Sequence, residues 1–134
     1  MGIPQVVVPG AMDMVNYFPD AIPPQFRNRL LYMHNPATTL MRTNAEENRL
    51  LGEIMGGKLS RSKGPVAVYI PLRGFSAVAA AGQPFFDPDA DRAFVEALKN
   101  SLPPRIPVIE KEVHINDPSF AREIAQALLE LLRR

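Results

Sequence analysis

Apolar runs of strand length occur at Gln5–Val8, Leu30–His34, Pro65–Ile70 and Val108–Val113, and in the first and third the apolar residues are consecutive rather than alternating. Consecutive runs suit strands covered on both faces, whereas a half-exposed strand alternates. Between the runs, apolar residues recur every three or four positions. Leu50, Leu51, Ile54, Met55 and Leu59 mark a helix over Glu46–Leu59, Phe94, Leu98 and Leu102 one over Ala90–Leu102, and Phe120, Ile124, Leu128 and Leu132 one over Ser119–Leu132. The start signals agree. Thr43-Asn-Ala-Glu46 reads as a capping box. Asp87-Pro88 and Asp117-Pro118 each place an Asp N-cap before a Pro whose missing N–H costs nothing at the first helical position. Pro19, Pro23 and Pro24 exclude a long helix from Ala11–Arg29, so a short helix near Asp13 or an irregular connection is expected there.

Alternating strands and helices predict an α/β fold: a mostly parallel sheet of four or slightly more strands, flanked by helices and Rossmann-like in the loose sense. Residues 1–134 read as a single domain. Composition narrows the function classes. The 15 Lys and Arg against 14 Asp and Glu are spread evenly, 7 and 5 in residues 1–67 and 8 and 9 in 68–134, so neither half has the basic footprint of a nucleic-acid binder. The absence of cysteine excludes disulfides, thiolate nucleophiles and Cys-ligated metals. No secretory signal or long apolar run is present, which suits a cytoplasmic protein without membrane contact.

Each predicted strand is followed by a Pro- or Gly-marked turn carrying groups able to bind a ligand: Pro9-Gly10-Ala-Met-Asp13, His34-Asn35-Pro36, Pro71-Leu-Arg73-Gly74-Phe-Ser76 and His114-Ile-Asn116-Asp117. In an open parallel sheet these turns lie along one edge, where ligands bind. Arg73 offers a planar five-donor group for phosphate or carboxylate, beside a Gly that permits close backbone approach. Each residue also has a structural explanation. Asp117 serves as an N-cap, Asn35 and Asn116 satisfy turn backbone, either histidine fits a strand end, and Arg73 pairs with a neighbouring carboxylate. The histidines lack metal-ligand spacing. Gly52-Glu-Ile-Met-Gly-Gly57-Lys58 has the spacing of a phosphate-binding loop, but Leu59 replaces the required Ser or Thr and the segment lies inside a helix. Neither Gly-x-Gly-x-x-Gly nor Gly-x-Ser-x-Gly occurs.

Val8-Pro-Gly-Ala-Met-Asp-Met-Val-Asn16, His34-Asn-Pro36, Thr39-Leu-Met-Arg-Thr43, Pro71-Leu-Arg-Gly-Phe-Ser76 and His114-Ile-Asn-Asp-Pro118 together resemble the family of the tomato mosaic virus resistance protein. The resemblance covers nearly the whole chain and matches the C-terminal lobe of a two-lobed ATP-binding domain. It implies one lobe of a longer protein, self-association, contact with an N-terminal lobe, and ATP, with magnesium, or another phosphorylated or anionic ligand. Carried onto this sequence, it implies Arg73 and Gly74 for anion contact and Arg42 and Thr43 for phosphate at a helix start. Asp13, Asn16, His34 and Asn116 would be polar lining, and Gly10, Asn35, Ser76, His114 and Asp117, from their place in the turns after the strands, complete the candidate ligand-binding residues. The enzyme alternative takes a small anionic metabolite, with His34 or His114 as general acid/base and Arg73 as the anion clamp. A third reading makes Met12, Met14, Tyr17, Phe18, Ile22 and Phe26 either a cover for the sheet edge or an interaction surface, and Ala77–Gly82 with Gln83-Pro84-Phe85-Phe86 reads as a mobile flap or as an ordinary connection whose small residues pack near the sheet.

Overall fold

A computed structural model describes residues 2–133. The described strands are β1 (Gln5–Val7), β2 (Met14–Tyr17), β3 (Leu31–Asn35), β4 (Thr38–Arg42), β5 (Val66–Pro71) and β6 (Val108–Lys111). The α-helices are α1 (Ala45–Leu59), α2 (Pro88–Ser101) and α3 (Pro118–Leu132). β1, β5 and β6 form a parallel sheet in the order β1-β5-β6, with Val6 opposite Ala67 and Tyr69 opposite Ile109. Both crossovers step in the same direction, so their right-handedness puts α1 and α2 on the same face. There Val66, Val68 and Ile70 of β5 meet Phe94, Val95 and Leu98 of α2, with Leu51, Met55 and Leu59 of α1 alongside. α3 lies against β1. Burial raises the Tyr69 hydroxyl pKa, reinforced by Glu123 and Glu130 of α3, and Lys111 pairs with Glu123 at 2.8 Å.

The four-stranded parallel sheet expected from the sequence is corrected to two sheets of three strands. Leu31–Asn35 does not join the parallel sheet; it folds back through Pro36-Ala37 into β4, and β2 pairs with the other side of β4, giving an antiparallel sheet in the order β2-β4-β3. The cause is local. Asn35 Oδ1 accepts the Ala37 N–H at 2.8 Å, closing a tight turn where a crossover was expected. β2 occupies part of the segment expected to be irregular, and Pro19 and Pro24 each begin a single 3₁₀ turn after it. The capping box lies one residue later than expected: Asn44 Oδ1 accepts from the Glu47 N–H, and Glu47 accepts in return from the Asn44 N–H. Asp87 and Asp117 cap α2 and α3 as expected, each with Pro at the first helical position.

Gly52 and Gly56 let α1 approach α2 closely. A Cβ on Gly52 would stand 2.5 Å from the Phe94 carbonyl oxygen, and one on Gly56 would stand 2.4 Å from Ser101 Cβ. The glycine spacing that resembles a phosphate loop is thus a helix-packing device. Of the two readings of residues 77–86, the packed connection is the one found. Ala79 and Phe85 are fully buried against Leu40, Met14 and Tyr32, and the Phe85 N–H donates to Val78 O at 2.9 Å. This segment is a strap that fixes the antiparallel sheet to the rest of the molecule.

Candidate functional site

At the carboxyl edge of the parallel sheet, the loops after β1, β5 and β6 are laced into one rim by main-chain bonds. The Ala11 N–H donates to Phe75 O at 2.9 Å, the Arg73 N–H to Val113 O at 3.0 Å, and the Ile115 N–H to Gly74 O at 3.1 Å. Two rim residues have left-handed backbone, Ala11 at φ 52° and Gly74 at φ 137°. Gly74 has a further reason to lack a side chain, since a Cβ would stand 2.9 Å from His114 Cδ2. His114 is held on both ring nitrogens: Nδ1 accepts the Asn116 N–H at 3.1 Å and Nε2 lies 2.8 Å from Ser76 O. These two bonds assign the neutral Nε2–H tautomer. Gly10, Arg73 and Asn116 are exposed on the rim. Arg73 is 3.8 Å from Glu112, and both side chains are well over half exposed, so water screens the pair and the guanidinium is available to a ligand.

Beneath the rim lies a buried polar cluster. Asp13 is fully buried; its Oδ2 accepts the Ser76 hydroxyl at 2.6 Å, while Oδ1 has no protein partner. Arg42 reaches the cluster from the end of β4, its Nη2 donating to Asp91 Oδ1 at 2.7 Å and to Asp87 O at 3.0 Å. Thr43 donates its hydroxyl to Met12 O at 2.9 Å, and its N–H to Asp13 O at 3.0 Å. Burial raises the Asp91 pKa, opposed by the Arg42 bond and reinforced by nearby Asp13 and Asp87. Arg42 and Thr43, expected to meet phosphate, are therefore spent on joining β4 to the β1 loop and α2. Asp91 escaped the sequence reading, although its signal was legible. It shares a helical stripe with Val95, Leu98 and Leu102, and an acid on an apolar stripe requires a buried partner.

The remaining expected residues separate from the rim. His34 and Asn35 sit by the β3–β4 turn, and Asn16 is exposed in the middle of β2. Arg42, where β4 meets the rim, is four residues from Thr38 at the turn, roughly 13 Å at strand spacing. Asp117 accepts from both the N–H and the hydroxyl of Ser119, which lowers its pKa, so it acts as a helix cap. A groove of about 410 Å³ runs over Phe75 and Val95 between α2 and β6. Asp91, Glu96, Glu110 and Glu112 outnumber Arg92 and Lys99 along it, the wrong sign for an anion. Among the described residues no three His, Asp or Glu side chains are placed to hold a metal ion, and no helix is long and apolar enough to cross a membrane.

A family model described as "Uncharacterised protein family (UPF0261) C-terminal domain" matches residues 1–132. A UPF0261 protein of Clostridium tetani is 43% identical over all of this chain and 34% of its own length. A UPF0261 protein of Mesorhizobium japonicum is 44% identical over 98% of the chain, again 34% of its own length. The ToMV resistance protein Tm-1(GCR237) of Solanum lycopersicum is 37% identical over 96% of the chain and 18% of that protein. The chain thus spans about a third of the length of these bacterial relatives.

Proposed function

The chain belongs to the UPF0261 family as its C-terminal domain, and from that premise we propose that it is a ligand-binding lobe that takes ATP or another phosphorylated anion on the rim at the carboxyl edge of its parallel sheet. The observation that carries the reading is the laced rim itself. Three loops converge there, with exposed Gly10, left-handed Ala11 and Gly74, and an Arg73 guanidinium paired only across 3.8 Å of screened surface. An exposed glycine at a strand end lets a phosphate approach the main chain closely, and the Arg73 fork of five donors matches its oxygens. Among the described residues no group of carboxylates is placed to hold a metal ion, so magnesium would arrive on the nucleotide's phosphates.

The enzyme alternative finds less support. Both ring nitrogens of His114 are taken by main chain, and His34 stands by the hairpin turn. Self-association and contact with the rest of the protein belong to the same proposal, and the antiparallel sheet and its flanks offer exposed Phe18, Leu30 and Met33 for it.

Calorimetric titration of ATP into the whole protein, with and without magnesium, tests the ligand reading. Arg73→Ala is expected to weaken binding about tenfold or more, from the roughly 1.5–3 kcal/mol of a charged hydrogen bond. An affinity changed less than about twofold would remove Arg73 from the site.

A further inference from the structure

The two edges of the parallel sheet are built differently. β6 carries Glu110 and Lys111 and runs into Glu112, the charges with which natural sheets guard a free edge. β1 is Gln5-Val6-Val7, followed by Val8; like β6 it is preceded by a proline, Pro4 as against Pro107, but it carries no charge. The Gln5 N–H donates inward to Pro65 O at 2.9 Å, so by alternation the N–H and C=O of Val6 point outward, away from β5. Exposed apolar residues lie next to β1 in the chain and on the helix packed against it. Ile3 is 79% exposed just before β1, while α3, which covers β1 on the face opposite α1 and α2, leaves Leu129 49% and Leu132 58% exposed near its end.

From this contrast we infer that β1 is an internal strand of the complete protein, its outer side paired with a further parallel strand supplied from outside residues 1–134. The length of the bacterial relatives, about three times that of this chain, leaves ample sequence for such a strand. The handedness of the fold favours the same occupant. Parallel crossovers that run from β1 toward β6 fill one face, so a helix on the opposite face, at β1, belongs with a strand on the far side of β1. A second copy of the chain is the competing occupant.

Hydrogen exchange resolved to single amides, measured on the whole protein, decides between them. Pairing predicts that the outward Val6 amide exchanges at least about 100-fold more slowly than an unstructured amide, close to its inward neighbours Gln5 and Val7. Exchange of Val6 near the unprotected rate while Gln5 and Val7 stay protected would overturn the inference. So would protection that disappears on dilution to the monomer, which would identify a second copy. A substitution pair supplies an independent readout: Val6→Pro is expected to lower the melting temperature of the whole protein by several degrees, whereas Glu110→Pro, on the outward side of β6, is tolerated. Equal tolerance at both positions would also overturn it.

Discussion

With only 3% of its side chain exposed, Arg42 has exchanged water for Asp91 and two main-chain oxygens, and such an exchange is close to neutral only while both charges remain. Arg42→Met is therefore expected to destabilise the chain by about 3–5 kcal/mol, because Asp91 is left buried and uncompensated. Adding Asp91→Leu to that variant should recover most of the loss, and urea midpoints of the single and double variants measure it; additive losses would show that the pair does not act as one unit. Gly74→Ala acts through backbone instead. At φ 137° and 2.9 Å from His114 a methyl group adds strain and displaces the imidazole, an expected cost of about 1–3 kcal/mol in the same urea assay. Titration separates two carboxylates. Arg29 lowers the Glu47 pKa through a bidentate contact at 2.7 and 2.9 Å. Its stabilisation is present above the unfolded value, near pH 4.3, and is lost as pH falls through the folded value. The pair is about a third exposed, so Glu47→Gln should cost below about 1 kcal/mol at pH 7, and thermal melts should show the difference vanishing in acid. Asp91 has the opposite sign: its raised pKa favours the protonated folded form, a contribution lost as pH rises through that value.

At the scale of elements, the contact between α1 and α2 separates neighbouring glycines by what they touch. Gly56→Ala brings a methyl group against Ser101 and is expected to cost about 1–3 kcal/mol, despite alanine's better helix propensity. Gly57→Ala meets nothing within 4 Å and should stabilise the chain by up to about 1 kcal/mol through propensity alone. Thermal melts of the two variants should therefore shift in opposite directions. The helices themselves were legible because their apolar spacing and their Asp-Pro caps agree. The parallel strands were legible because β5 is apolar without interruption. β2 and β4 were not: Met14–Tyr17 and Thr38–Arg42 are short and mixed, and what makes them strands is pairing with each other along four positions. The same limit applied to the site. Rim residues such as Gly10 and Gly74 follow from their place after strands, whereas the burial of Arg42 follows from Asp91, 49 residues away, which no local pattern encodes.

At the largest scale, the described residues form a parallel α/β unit and an antiparallel sheet held to it at a few points, chiefly the Arg42–Asp91 pair, the Arg29–Glu47 pair and the strap anchored by Phe85. Phe85 has none of its surface exposed and belongs to a small cluster with Leu40 and Ala79, separate from the large core around β5 and α2. Two cores joined by a strap permit one part to open while the other stays closed. Phe85→Ala removes the largest fully buried side chain of the smaller cluster and is expected to cost about 3–5 kcal/mol where it acts. The cost should be local. Amides of β2, β3 and β4 should exchange faster in the variant, while those of β5 and α2 keep their protection, because the larger core loses no contact. Equal acceleration in both regions would mean that the sheets unfold as one cooperative unit. The rim lies between these outcomes, since the β1 loop that carries Gly10 and Ala11 runs directly into β2. If the antiparallel sheet opens alone, Phe85→Ala is expected to weaken the ligand binding proposed for the rim without touching a rim residue, and titration of the variant reads that coupling directly.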